Sequence, residues 1–325
     1  MSDQERGARC RLIIQKETEY KTDPVAPDAQ LIYFSSETIS MSRGQEESDI
    51  IRGNRNPTRA ARGNNEIGGD ISTELQAYIG QILLGVLGSV ATVGAASPYT
   101  HTFKIGDTIP SFLIEKGFPT LAKFFKYNGI KFGKLSFDVT SKGFQKLSLS
   151  VNGAKETIGA TSFDATATDL GKTSFDGRSI ATIEEGGVAI ATISKITGLT
   201  IDNGLDLDED NFVLGGNGER DAIPEGYTKV SGTVTALFKD VALYTKAIND
   251  TESSLRVVYS IGDGLGTAGN ESLEIKIPEL TFAPKTPGIN GPKGLKVELP
   301  FVAYYDNAAE ASAIQIILKN TQAII

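Results

Sequence analysis

His101 is the only histidine in the chain. It is therefore the one side chain able to act as a near-neutral base, or as the middle of a Ser-His-Asp relay. It stands in YTHTF, the polar opening of an expected strand, and no G-x-S-x-G nucleophile elbow occurs anywhere. A structural or surface histidine is the reading that fits. Asp206, Asp208 and Asp210 have the one-in-two spacing that opens an EF-hand loop. The loop then fails, with Asn211 where glycine is needed and Asn217 where a bidentate glutamate is needed. These acids read as an exposed hairpin tip. The glycine runs at Gly215–Gly218 and Gly262–Gly266 lack the lysine of a phosphate-binding loop and read as turns. The single cysteine, Cys10, excludes an internal disulfide and a cysteine-built zinc site. No catalytic, cofactor-binding or metal-ligating residue is expected.

The remaining concentration of charge lies in RGQEESDIIRGNRNPTRAARGNNEIGG, residues 43–69. Arg52, Arg55, Arg59 and Arg62 there suit either phosphate or the carboxylates of a neighbouring subunit. Glu46, Glu47 and Asp49 dilute the basic run, and the whole chain carries a net charge of −8 with a pI near 5.0. Tight nucleic-acid binding needs an excess of Lys and Arg, so contact with another protein is the better reading. A stretch this long without apolar periodicity is expected to be a loop, either a solvated flexible one or one ordered by a partner.

The elements that must position these groups are mostly strands. From Leu295 to Tyr305, apolar residues alternate with Lys296, Glu298 and Pro300, as in a strand with one buried face. A long hairpin is expected over Tyr127–Gly153, with a bulge at Gly133-Lys134 where the alternation changes phase. Further strands are expected at Val188–Ile193, Ile196–Ile201, Val230–Phe238 followed by Val241–Tyr244, Leu255–Tyr259, Leu273–Ile277 and Ile314–Leu318. Leu113–Tyr127, interrupted by Pro119, suits a short helix or a strand.

One helix is expected near 73–88, capped by Ser72 or Thr73 with Glu74 in its first turn. Ala77–Tyr99 is uncharged over a bilayer-spanning length. Its glycines and its stripe of apolar residues spaced by three or four mark a core-facing helix instead. Met1–Arg11 is polar, unlike a signal peptide. The expected organisation is a 1–70 N-terminal segment containing an Arg/Gly-rich arm, with a short strand at Leu31–Phe34. A β-rich domain follows over 71–325, with a possible insertion near 153–180. An all-β binding module or adhesin shares this pattern, but the absence of Trp removes its usual aromatic platform. A hydrolase remains only as a residual reading.

Four segments resemble bacteriophage tail tube proteins of the ring-stacking kind. They are RGNRNPTRAARGNNEIGGDISTELQAYIGQILLGVLG, the hairpin YNGIKFGKLSFDVTSKGFQKLSLSVNGAKE, ISKITGLTIDNGLDLDEDNFVLGGNGERDAIPEGYTKVSGTVTALFKD, and the final GPKGLKVELPFVAYYDNAAEASAIQIILKN. The resemblance implies a mainly β fold: an antiparallel β-sandwich or barrel of the tail-tube type, with one flanking α-helix and a long N-terminal arm. It further implies a structural virion protein without enzymatic activity, forming homohexameric rings that stack into a conduit for DNA ejection. The implied partners are other copies of the chain, a tape-measure protein and genomic DNA in the lumen, a baseplate or tail-tip initiator, a tail terminator, and a sheath if the tail contracts. No membrane span is implied, and assembly would take place in the host cytoplasm. Within that reading Arg52, Arg55, Arg59 and Arg62 belong to a subunit or ring interface.

Overall fold

The computed structural model describes residues 4–289 and 291–325. Residues 1–3, at the head of the polar Met1–Arg11 stretch, and residue 290, within the Pro- and Gly-rich 284–294 segment, lie outside the described residues. The fold is mainly β. The N-terminal part supplies β1 (Arg11–Lys16), β2 (Gln30–Ile32), β3 (Ser36–Glu37), β4 (Ser40–Glu46) and β5 (Ala61–Glu74). Helix α1 (Gly80–Leu87) leads directly into β6 (Gly88–Val93) and β7 (Tyr99–Ile105). Then come β8 (Phe112–Phe118), β9 (Lys123–Val139), β10 (Lys146–Gly153) and β11 (Lys155–Gly159). The C-terminal half holds β12 (Ile180–Glu185), β13 (Val188–Ala189), β14 (Ile193–Asp202), β15 (Lys229–Leu237), α2 (Ala242–Ile248), β16 (Ser253–Ser260), β17 (Ser272–Phe282), β18 (Lys296–Ala303) and β19 (Gln315–Asn320).

Among the described residues the named strands pair with one another antiparallel throughout, and one isolated parallel bridge joins Gln30 of β2 to Thr168. The long β9 belongs to two sheets. Its first half pairs with β8 and β11, and through β8 with β1 and β2. Its second half lies between β10 and β14. From there one ladder runs outward through β10 and β5 to β4, and another through β14, β15 and β18 to β17. On a single edge of β17, Leu280–Phe282 pair with β18 and Ser272–Lys276 pair with β19. Pro278 lies in the interval between them, where a missing N–H costs no ladder bond. β19 then pairs with β7, and β7 with β6.

The core confirms the alternation over Lys296–Ala303, whereas Tyr305, expected on the buried side, lies beyond the strand and is 53% exposed. In β18, Val297, Leu299, Phe301 and Ala303 are buried while Lys296 and Glu298 are exposed. The hairpin β9–β10 has its register shift where Ser150 faces Lys134 and Val151 faces Phe132, so Gly133 is the extra residue. Helix α1 buries nearly all its residues against β9, β7 and β6. Its Gly85 meets the stacked rings of Phe112 and Phe132, whose centroids are 5.1 Å apart.

Several expectations need correction. Ser72, Thr73 and Glu74 do not cap a helix but end β5, and α1 begins at Gly80 behind Ile79 without a side-chain cap. The polar 1–70 stretch is not loop throughout, since strands β1 to β4 and the start of β5 fall within it. Val241–Tyr244 is not a strand: Ala242 donates its N–H to Asp240 Oδ1 at 2.9 Å, and α2 follows with Leu243 and Ala247 facing inward. The Val188–Ile193 strand shrinks to the two residues of β13. Leu113–Tyr127 resolves into β8, a 3₁₀ turn at Pro119–Leu121 and the start of β9.

The 153–180 segment is tied into the body. β11 pairs with β9, and Phe175 is fully buried. The buried Glu115 carboxylate accepts Ser162 Oγ at 2.5 Å and Phe163 N–H at 2.6 Å. Asp164 takes the Ala29 N–H at 2.9 Å. Desolvation raises the Asp164 pKa, but amide donation from Ala29 and Thr166 outweighs it and holds the carboxyl below its usual range.

Candidate functional site

The arginine-rich stretch is the end of a β-hairpin rather than a free loop. β4 and β5 pair from Ser40↔Gly68 to Glu46↔Ala61, with a register shift between Arg43 and Gln45. At that shift the Gly63 backbone passes so near Gly44 that an added Cβ would lie 3.1 Å from the Gly44 carbonyl oxygen. Beyond the paired residues the tip spans 47–60. Arg52 closes it by donating Nη2 to the carbonyls of Asn56 and Pro57, both at 3.1 Å. Arg52, Arg55 and Arg59 are exposed on the tip, and Arg62 is exposed on β5 opposite Gln45. Among the described residues none of the four forms an ion pair. Ile50 and Ile51, 75% and 94% exposed, add an apolar pair to the same tip. Leaving such side chains in water costs hydrophobic free energy that a partner surface would recover.

The acidic residues lie on the 203–228 connection between β14 and β15, which are antiparallel neighbours. Asn203 anchors the base of this connection. It is buried, and its Nδ2 donates to the carbonyls of Val86 and Phe132, both at 2.9 Å. Asp206, Asp208 and Asp210 are all exposed, the last within a 3₁₀ turn at Glu209–Asn211. Asp206 Oδ1 accepts the Asp208 N–H at 3.0 Å. Among the described residues no group of three His, Cys, Asp or Glu side chains could hold a metal ion. Buried Arg220 holds the far side of the loop, stacked 4.5 Å over the Phe212 ring and donating to the Asp208 carbonyl at 3.0 Å.

The structure brings the two charged segments together at the foot of the arm. The Asn65 N–H on β5 donates to the Gly218 carbonyl at 2.7 Å, while Asn65 Oδ1 accepts Arg43 Nε at 2.6 Å. Nothing in the spacing of residues 65 and 218 points to this contact. It is a long-range pairing that only the closed fold creates.

His101 lies on β7, fully buried, and among the described residues its hydrogen-bond partners are Thr92, Asn320 and Gln322, with no serine or aspartate among them. Its Nε2–H donates to the Gln322 carbonyl at 2.9 Å and faces Asn320 Oδ1 at 3.2 Å. Nδ1 is thereby left to accept the Thr92 hydroxyl at 2.9 Å. Desolvation lowers its pKa against the opposing pull of these acceptors. The ring therefore works as a neutral cross-tie joining β6, β7 and the segment after β19. Among the described residues no helix is long and apolar enough to cross a membrane.

The surface grooves carry no better-formed chemistry. One is lined by Gln15, Gln30, Gln81 and Gln322 with Lys16 and Asp28. Another is lined by Arg11, Glu37 and Lys116, with Lys116 Nζ paired to Glu37 at 3.0 Å. A family model described as phage tail tube protein matches residues 7–303. No curated protein matches the chain.

Proposed function

The chain belongs to the phage tail tube protein family, and from that premise we propose how it works as a structural component of the virion tail. Copies associate into rings, hexameric in number, and the rings stack into a tube that conducts DNA during ejection. Heterologous contacts that close give rings, and strand edges buried against neighbours cease to be an aggregation hazard. The arm contacts an adjacent subunit or the next ring through Arg52, Arg55, Arg59 and Arg62, with Ile50 and Ile51 at its tip. The lumen holds DNA and a tape-measure protein, and a net charge of −8 favours a wall along which phosphate slides. An initiator at the baseplate or tail tip, a terminator and, in a contractile tail, a sheath complete the partners.

The observation that carries this reading is the β4–β5 hairpin. It carries four exposed arginines that have no carboxylate partner among the described residues, and two exposed isoleucines, a surface poorly suited to a lone subunit. Negative-stain microscopy of the concentrated protein tests it. Hollow rods or rings of uniform width are expected. A protein that stays monomeric at high concentration overturns the reading.

A further inference from the structure

Four Asn-Gly pairs lie among the described residues: Asn128-Gly129, Asn152-Gly153, Asn203-Gly204 and Asn217-Gly218. Such a pair can react within itself. The glycine nitrogen, unhindered because its residue has no Cβ, can reach the asparagine side-chain carbon and displace ammonia. A fold blocks this when it buries the asparagine or spends the glycine N–H elsewhere. Asn128 is buried, with Nδ2 donating to Glu17 Oε1 at 3.2 Å and to Asp23 Oδ1 at 2.9 Å. The Gly129 N–H donates to the same Glu17 oxygen at 2.9 Å. Asn152 and Gly153 lie within β10, in register with Gly68 and Ile67 of β5, and Asn152 also faces Lys131 of β9. Asn203 is buried and tied through Nδ2, and the Gly204 N–H donates to Asp202 Oδ1 at 3.0 Å.

Asn217-Gly218 has none of these restraints. Asn217 is exposed on the 203–228 connection. Among the described residues neither its side chain nor the Gly218 N–H forms a hydrogen bond. Both residues are left-handed, with φ of 56° and 72°, a conformation that Asn and Gly tolerate. The flanking turn bonds, Gly216 N–H to Val213 O at 3.1 Å and Glu219 N–H to Gly216 O at 3.0 Å, close the loop without using the Gly218 amide. The Gly218 carbonyl, in contrast, is spent. It accepts the Asn65 N–H at 2.7 Å, at the foot of the arm. Residue 218 also lies close against β5, since a Cβ built on it would be 3.4 Å from Asn64 Cα. The most reactive amide pair is thus joined directly to the strand that carries the arm.

We propose that Asn217 is a site of spontaneous modification in the folded protein, and that its iso-aspartyl product releases the foot of the arm. The Gly218 nitrogen bonds to Asn217 Cγ, the Cγ–Nδ2 bond breaks, and the Gly218 amide proton leaves with Nδ2 as ammonia. Water then opens the resulting succinimide. Opening at Cγ gives plain aspartate. Opening at the main-chain carbonyl gives iso-aspartate, in which the chain runs through Cβ and Cγ. That path holds one extra carbon and is about 1.5 Å longer. The Asn65–Gly218 bond starts at 2.7 Å, and such bonds weaken beyond about 3.2 Å, so a displacement of this size breaks it. The β4–β5 ladder and the bond from Arg43 Nε to Asn65 Oδ1 remain, but the brace between the arm and the 203–228 connection is lost. None of these steps requires a second copy of the chain.

The test incubates the full chain at mildly alkaline pH and follows each asparagine by peptide mapping with mass spectrometry. Conversion at Asn217 is expected to be at least about tenfold faster than at Asn128, Asn152 or Asn203, which must open locally before they react. Enzymatic methylation of iso-aspartate should label residue 217. Hydrogen exchange then reads the arm: the Asn65 amide should lose protection in the reacted fraction. Asn217→Gly removes the reacting side chain and suits the positive φ. After the same incubation it should keep the Asn65 amide protected. Conversion at Asn217 no faster than at the other three overturns the site. A product that is plain aspartate alone, or an Asn65 amide still protected in the reacted protein, overturns the release of the arm. Equal loss of protection in the incubated Asn217→Gly protein overturns it as well, because the change then has another origin.

Discussion

Replacing Gly85 by Ala tests how α1 is seated. A Cβ added at Gly85 would lie 2.2 Å from Phe132 Cδ2 and 2.8 Å from Phe112 Cε2. Comfortable carbon–carbon contact is about 3.5–4.0 Å, so the rings or the helix must retreat by more than about 1 Å. Neither ring has room. Both are fully buried and stacked with 13° between their planes, on β8 and β9, which pair with each other and with further strands. Overpacking of this kind costs about 1–3 kcal/mol. The intrinsic helix preference of Ala over Gly returns up to about 1 kcal/mol. The expected net loss is about 1–2 kcal/mol, read as a lower urea midpoint at unchanged slope. The chain has no Trp, so the transition is followed by far-ultraviolet circular dichroism, and the near-ultraviolet bands report the displaced rings. Gly44→Ala is the control, because its Cβ meets nothing within 4 Å. It should be neutral or slightly stabilising through the unfolded chain. A Gly85→Ala protein as stable as its parent would refute the argument that α1 is pressed against the Phe112–Phe132 stack.

Changing Arg52, Arg55, Arg59 and Arg62 together to Ala should leave monomer stability within about 0.5 kcal/mol, since the four side chains are exposed and form no ion pair among the described residues. Tube yield by sedimentation should fall, and the parent's yield should itself fall as salt screens the arm. Unchanged yield would sink the proposed role. For His101 the folded pKa lies below its ordinary value of 6.5. The unfolded chain thus takes up the proton first, and stability is lost as pH falls from about 6.5 towards the folded pKa, by at most about 1.4 kcal/mol per pH unit. His101→Gln should flatten that part of the profile in urea titrations at successive pH values. An unaltered slope would place its origin elsewhere.

Much of the architecture is legible in residue order because it obeys a local rule. Alternation marks β18 and the β9–β10 hairpin, and the phase break at Gly133 marks the bulge, since a strand must show one side to the core. The apolar stripe of α1 is readable for the same reason at helical spacing. Residues 61–74, ARGNNEIGGDISTE, have poor strand propensity and few apolar residues. They form β5 because β10 lies on one side and β3 and β4 on the other, while 47–60 stays outside any strand as a loop. Those partners come from distant or weakly patterned segments, and backbone hydrogen bonding does not depend on side-chain type. The Ser72 cap failed for the same reason: the β5–β10 ladder runs through Glu74 before α1 can start.

Sequence by itself therefore determined the mainly β class, the core phase of the strong strands, the lack of a metal or nucleophile motif, and the presence of an arginine-bearing arm. Each follows from residue type and spacing, properties that persist in an unfolded chain. The tertiary structure alone decided that the arm ends a hairpin braced at Gly218, that residues 153–180 contact the body through Glu115, Asp164 and Phe175, and that β6 pairs with β7 alone among the described residues. Which backbone groups remain unpaired is a property of the whole set of strand partners. It comes into being only when segments far apart in the chain have met.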